Sequence, residues 1–258
     1  MARTTSARVS SAFRLRSSHG NFFLAKKGRI HYDCRMSVQE ALEGTREAEI
    51  LSGMEESYRR IDEKQGAWKH AGAPLCIEGC GDCCTGFEPD ILESEALYLA
   101  AWLIDNEPER ASAIADGSYR PPEGRAQGTC ILFEPHSPLH CTAYGGRCLI
   151  CRLFGYAGDY GKDGKKRFRP CRFYPEDKLR LYGMEHRQYH EDELRQLYGT
   201  LPPAMADCMQ QALLLLPGSS GETEPLREIL PKTIRRLQWI LLCTGGRNGG
   251  GNAGPQSA

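Results

Sequence analysis

Eight of the twelve cysteines fall into the pattern Cys76-x3-Cys80-x2-Cys83-Cys84, then Cys130, Cys141, Cys151 and Cys171. A chain that gathers thiols in this way must organise its middle around them, through disulfides or through metal. Disulfides persist in oxidising compartments, and an exported chain begins with a contiguous apolar run. The early run Phe22–Ala25 is too short for that. No stretch approaches the roughly 20 apolar residues that cross a bilayer. The thiols therefore read as metal ligands and the protein as cytoplasmic, without a membrane span. Thiolate sulfur favours zinc, copper(I) and iron–sulfur clusters over hard cations.

Cys80 and Cys83 stand at the spacing by which a tight turn presents two sulfurs to one ion. Cys76 and Cys84 widen the set. Adjacent cysteines such as Cys83 and Cys84 are expected to point in different directions, toward different ions or with one packing. Eight thiols suffice for two four-coordinate sites, and the spacing does not assign the pairs. A divalent ion with four thiolates carries a net charge of about −2, which needs cations or donors nearby. Arg147 and Arg152, with Arg172, lie beside the cysteines and are the candidate cofactor-side charges.

The formal net charge is zero but unevenly spread. Residues 1–35 hold eight Lys or Arg against Asp33, leaving 25 basic and 32 acidic residues from Met36 onward. The start reads as a disordered or untranslated tail, with Met36 an alternative first residue. The acidic remainder argues against nucleic acid. Lys162, Lys165, Lys166, Arg167 and Arg169 then read as a solvated turn supplying counter-charge. The expected partner is a metal ion, and the sequence names no protein partner.

A capping-box signature, Ser37 with Glu40, opens a helical segment over 36–73, its apolar positions running from Val38 to Ile61 with a break near Gly44 or Gly53. The cysteine region follows at 74–175. Inside it, Ile91–Ile104 has a broad apolar face and predicts a helix, whereas the Pro and Gly residues of 106–129 predict loop. Gly158–Gly164 predicts a turn closing a short hairpin. Residues 176–244 form a helical extension, with helices over 189–198, 204–216 and 226–243, and Pro231 kinking or restarting the last. Residues 245–258 are a glycine-rich tail. The expected fold is mainly α, with an irregular, metal-centred, cysteine-rich middle containing short β strands.

These residues resemble the YkgJ-like cysteine cluster proteins, also described as a zinc- or iron-chelating CxxCxxCC domain. The resemblance rests on Cys76-x3-Cys80-x2-Cys83-Cys84, Cys130-Ile-Leu-Phe, Cys141-Thr-Ala-Tyr144, Arg147, Cys151-Arg152-Leu-Phe-Gly and Cys171, over roughly residues 74–175. It implies a small metal-binding domain and names no substrate. Cys148 stands where the family usually has proline, yet its spacing from Cys151 permits chelation. His136 and His140 are substitute ligands. Cys34, Cys208 and Cys243 lie outside the pattern, and His186 and His190 read as surface residues.

The function these features favour is chelation of zinc or iron through clustered thiolates. Two alternatives compete. Cys76-x3-Cys80-x2-Cys83 has the spacing of a radical-S-adenosylmethionine iron–sulfur site, and flagellin lysine N-methylases resemble the cysteine pattern too; Asp82 stands where such sites place an aromatic residue. Cys83-Cys84 or Cys148-x2-Cys151 alternatively form a thiol redox or electron-transfer module.

Overall fold

The computed structural model describes residues 36–245 apart from 75, 78, 124, 125, 217 and 219. The basic start, with Cys34, and the glycine-rich end beyond 245 lie outside the described residues.

Ser37 caps α1 (Val38–Ala41): its hydroxyl accepts the Glu40 N–H, and the Glu40 carboxylate accepts the Ser37 N–H at 2.7 Å. The chain breaks at Gly44 and restarts as α2 (Arg46–His70), where the Thr45 hydroxyl accepts from the Ala48 N–H. Gly53 lies inside α2, which continues well past Ile61. After strand β1 (Asp90–Ile91), α3 (Glu93–Asn106) buries Leu97, Leu99, Ala100 and Leu103 on nearly all sides, because α2 flanks it on one side and the last helix on the other.

The loop expected over 106–129 is corrected at its start, where α4 (Pro108–Asp116) forms. Pro108 occupies the first turn, where its missing N–H costs nothing and its fixed φ suits a helix. Ala111, Ile114 and Ala115 then bury one face. A proline counted as a loop former was a helix starter.

The chain continues through α5 (Leu149–Leu153), the hairpin β2 (Asp159–Tyr160) and β3 (Lys166–Phe168), α6 (Glu176–Leu181), β4 (Tyr189–His190), α7 (Glu191–Tyr198), α8 (Met205–Leu213), β5 (Glu224–Pro225) and α9 (Leu226–Gly245). The hairpin closes through the Gly161 N–H donating to the Lys165 carbonyl at 2.8 Å. β4 adds to β3, and β1 pairs with β5, all antiparallel. The described residues are about 51% helical with strands of two or three residues, so they are mainly α with minor β. Pro231 lies within α9, and the helix runs on past it. No helix among the described residues is long and apolar enough to cross a membrane.

Two apolar cores result. The main one joins α1, α2, α3, α4, α8 and α9, so the cysteine region packs together with the helical segments on either side of it. A smaller core gathers Trp68, Ala73, Phe168, Leu179, Met184, Tyr189 and Leu194. Helix α2 spans both: Leu51, Met54, Tyr58 and Ile61 enter the first and Trp68 the second. Trp68 packs edge-on against Phe168 and Tyr198, with ring centroids 5.7 and 5.0 Å away. Trp68→Ala is expected to cost about 3–5 kcal/mol. Urea unfolding checks it, and a loss below about 1 kcal/mol would mean that the smaller core contributes little to the global transition.

Candidate metal centre

The cysteines arrive on separate segments, each fixed by backbone hydrogen bonds. Cys83 and Cys84 lie on a 3-10 turn over Asp82–Thr85, where the Cys84 N–H donates to the Gly81 carbonyl at 2.8 Å. Gly81 has φ +66°, and a Cβ there would run into the His140 side chain. Glycine therefore lets the Cys80–Cys83 turn lie flat against the segment leading to Cys141. The Cys130 N–H donates to the Cys84 carbonyl at 3.1 Å, and Phe133 bridges to Cys141.

Two carboxylates that the sequence reading did not single out set this frame. Glu88, its side chain 8% exposed, accepts the Ile131 N–H at 2.9 Å and pairs with Arg227 of α9, which holds the residue after Cys130. Glu95, 2% exposed, accepts the Leu92 N–H at 2.9 Å and the Leu149 N–H at 2.6 Å. One carboxylate thus serves the first turns of α3 and α5 together, and α5 carries Cys151. Glu95 lies three residues after Leu92, at the position where a glutamate returns to its own helix start. Its second bond joins residues 54 positions apart and has no local signature.

The thiols fall into two neighbourhoods. Cys130 and Cys148 are buried in the main core, and Cys84, Cys141 and Cys151 pack against it. Cys76, Cys80, Cys83 and Cys171 do not belong to that core. Cys76 and Cys171 flank Gly155: a Cβ built there would lie 3.7 and 3.3 Å from their Cβ atoms. Ala73, three residues before Cys76, and Tyr174, three after Cys171, both join the smaller core. Cys80 donates from its thiol to the Asp82 carboxylate at 3.0 Å. Cys83 and Cys84 meet at the junction with sulfurs 3.9 Å apart. The expectation that these neighbours point apart is corrected here, since a 3-10 turn rotates only about 120° per residue, against about 180° in a strand.

Burial pushes the Cys76 and Cys141 thiols up to about 11 and Cys130 to about 12. The Cys84 thiol beside it holds Cys83 down to about 7, whereas Cys84 itself is raised. Contact with Cys151, then burial, raises Cys148. Arg147 favours the thiolate of Cys76, Cys83 and Cys141 alike, so it serves both neighbourhoods. Its guanidinium lies 3.5 Å from the centre of the Tyr144 ring. Arg152 is placed differently. It lies over Tyr58 at 4.1 Å and donates to the Arg147 carbonyl at 3.0 Å and the Gly145 carbonyl at 2.5 Å, holding the backbone that presents Arg147. Arg172 lies over Phe173.

Among the histidines, Nδ1 of His140 is buried without a hydrogen-bond partner beside the Cys80–Cys83 turn, while His136 is exposed. His186 donates from Nε2 to the Tyr174 carbonyl at 2.8 Å, and His190 opens α7; both are exposed. Cys208 is buried in the main core and Cys243 is exposed at the end of α9. Among the described residues no three Cys, His, Asp or Glu side chains already stand close enough to hold an ion. Ligation of one ion by three or more of them therefore requires these side chains to come closer together. The donor chemistry fits a thiophilic ion: grouped thiols, a shared cation and an orphaned imidazole nitrogen.

Residues 75–186 match the family model described as "CxxCxxCC: Putative zinc- or iron-chelating domain". This stretch is similar to the CxxCxxCC family. The CxxCxxCC match takes in every cysteine from Cys76 to Cys171 and runs on through α6. No curated protein and no solved structure matches the chain.

Burial raises the Glu95 pKa against the pull of its two backbone donors. The folded state then holds its proton more tightly than the unfolded chain, so stability falls as pH rises from the ordinary glutamate range through the raised folded value. Glu95→Gln is expected to lose about 1–3 kcal/mol at the acid end of that window, because one backbone N–H loses its acceptor, and to flatten the pH dependence. Urea titrations of both proteins across the window check this; parallel curves would show that Glu95 does not titrate in the fold.

Proposed function

We propose that this chain is a thiolate metal-chelating protein, with residues 74–175 as the binding unit and Cys76, Cys80, Cys83, Cys84, Cys130, Cys141, Cys151 and Cys171 as its ligands. The observation that supports it most is the convergence of thiols from five segments onto one seam, with Arg147 serving both sides of it. Cys76, Cys80, Cys83, Cys84, Cys141, Cys151 and Cys171 form no disulfide. Arg147 supplies counter-charge to the bound ion, and Arg152 holds Arg147 in place. A reducing compartment such as the cytoplasm keeps such thiols available.

Zinc bound here would supply rigid cross-linking without redox change, and iron would add electron transfer. The iron reading keeps support from Cys76-x3-Cys80-x2-Cys83. Its S-adenosylmethionine form loses support, since the described strands are two or three residues long in antiparallel pairs and make no strand-helix barrel. A redox role for Cys148 asks for a lowered thiol pKa, and burial beside Cys151 acts in the opposite direction.

Elemental analysis and a visible spectrum of anaerobically purified protein are expected to find bound zinc or iron, with broad absorption only for an iron–sulfur cluster. Removal of the metal by a strong chelator should lower Tm by about 10 °C or more. A chelated protein with its full thermal transition would end this reading.

A further inference from the structure

We propose that the thiols form two metal centres of unequal access: an inner one on Cys84, Cys130, Cys141 and Cys151, and an outer one on Cys76, Cys80, Cys83 and Cys171. Both centres presuppose the chelation proposed above. The division follows the packing. Every inner cysteine lies in or against the main core, tied by the Cys130–Cys84 backbone bond, the Phe133–Cys141 bridge and the Glu95 clasp on α5. No outer cysteine belongs to that core; Cys76 and Cys171 meet at Gly155, and Cys80 lies on exposed Asp82.

Four thiolates complete one tetrahedral zinc, so a single ion would leave four of the eight without a role. Cys148, 2% exposed beneath the inner group, is a fifth sulfur there. The inner ion, held in and against the main core, is structural. The outer ion faces solvent through Cys80 and Asp82 and exchanges. The class of ion is the same for both, a thiophilic divalent cation. The 3.9 Å Cys83–Cys84 contact is where the centres abut.

The full chain, purified anaerobically with zinc, is measured by native mass spectrometry and by metal release to a coloured chelator. The expected result is two ions per chain, one released at least tenfold faster. Cys76→Ser combined with Cys171→Ser should remove only the fast ion and leave Tm within a few degrees. Cys141→Ser combined with Cys151→Ser should unfold the chain or leave only the fast ion. A single ion in the wild type, release in one phase, or loss of both ions from the outer variant would overturn the two centres while leaving chelation standing. A wild type that binds no metal would overturn chelation and both centres together.

Discussion

A carboxylate buried to 2% exposure must find donors or carry a desolvation cost of several kcal/mol, and Glu95 finds two, each an N–H at the start of a helix. Helix starts concentrate unsatisfied N–H groups and partial positive charge, so one carboxylate answers two sets of orphan donors. The five-residue α5 is far below the length at which a helix is stable alone, and the clasp joins the burial of Leu149 and Leu153 in holding it. Through α5 the clasp fixes Cys151. Through Arg152, at the end of the same helix, it fixes the backbone that presents Arg147.

The thiol seam lies against two cores. Cys130 and Cys148 lie in the main core with Cys84, Cys141 and Cys151 against it, and Cys76 and Cys171 lie three residues from Ala73 and Tyr174 of the smaller core. Helix α2 links the same two cores from the other direction, ending with Trp68 against Phe168 and Tyr198. A small core of seven buried residues gains little from apolar burial alone.

Where sequence and structure disagree, the reason is local geometry. Pro108 opens α4 instead of breaking the chain, because the signal that separates a helix-starting proline from a loop proline lies in the Ala111, Ile114 and Ala115 face that follows it. Cys83 and Cys84 lie side by side because their turn is 3-10, which no residue type in the pair announces. Gly81 had a readable cue as a turn former between cysteines, but the body it makes room for, His140, is 59 positions away in the chain.

The sequence by itself determined the donor chemistry, the resemblance to the CxxCxxCC family, the helical character and the bounds of α3, α7 and α9 to within two residues, since thiol clustering, caps and 3.6-residue periodicity are local signals. Residues 75–186 match the model of that family. Only the tertiary structure decided which thiols are neighbours, that Arg147 faces both groups while Arg152 serves the backbone, and that Glu88 and Glu95 hold the cysteine segments to α9 and α3. Those relations join residues up to 139 positions apart. Burial and long-range hydrogen bonding act across space, and spacing along the chain carries no record of them.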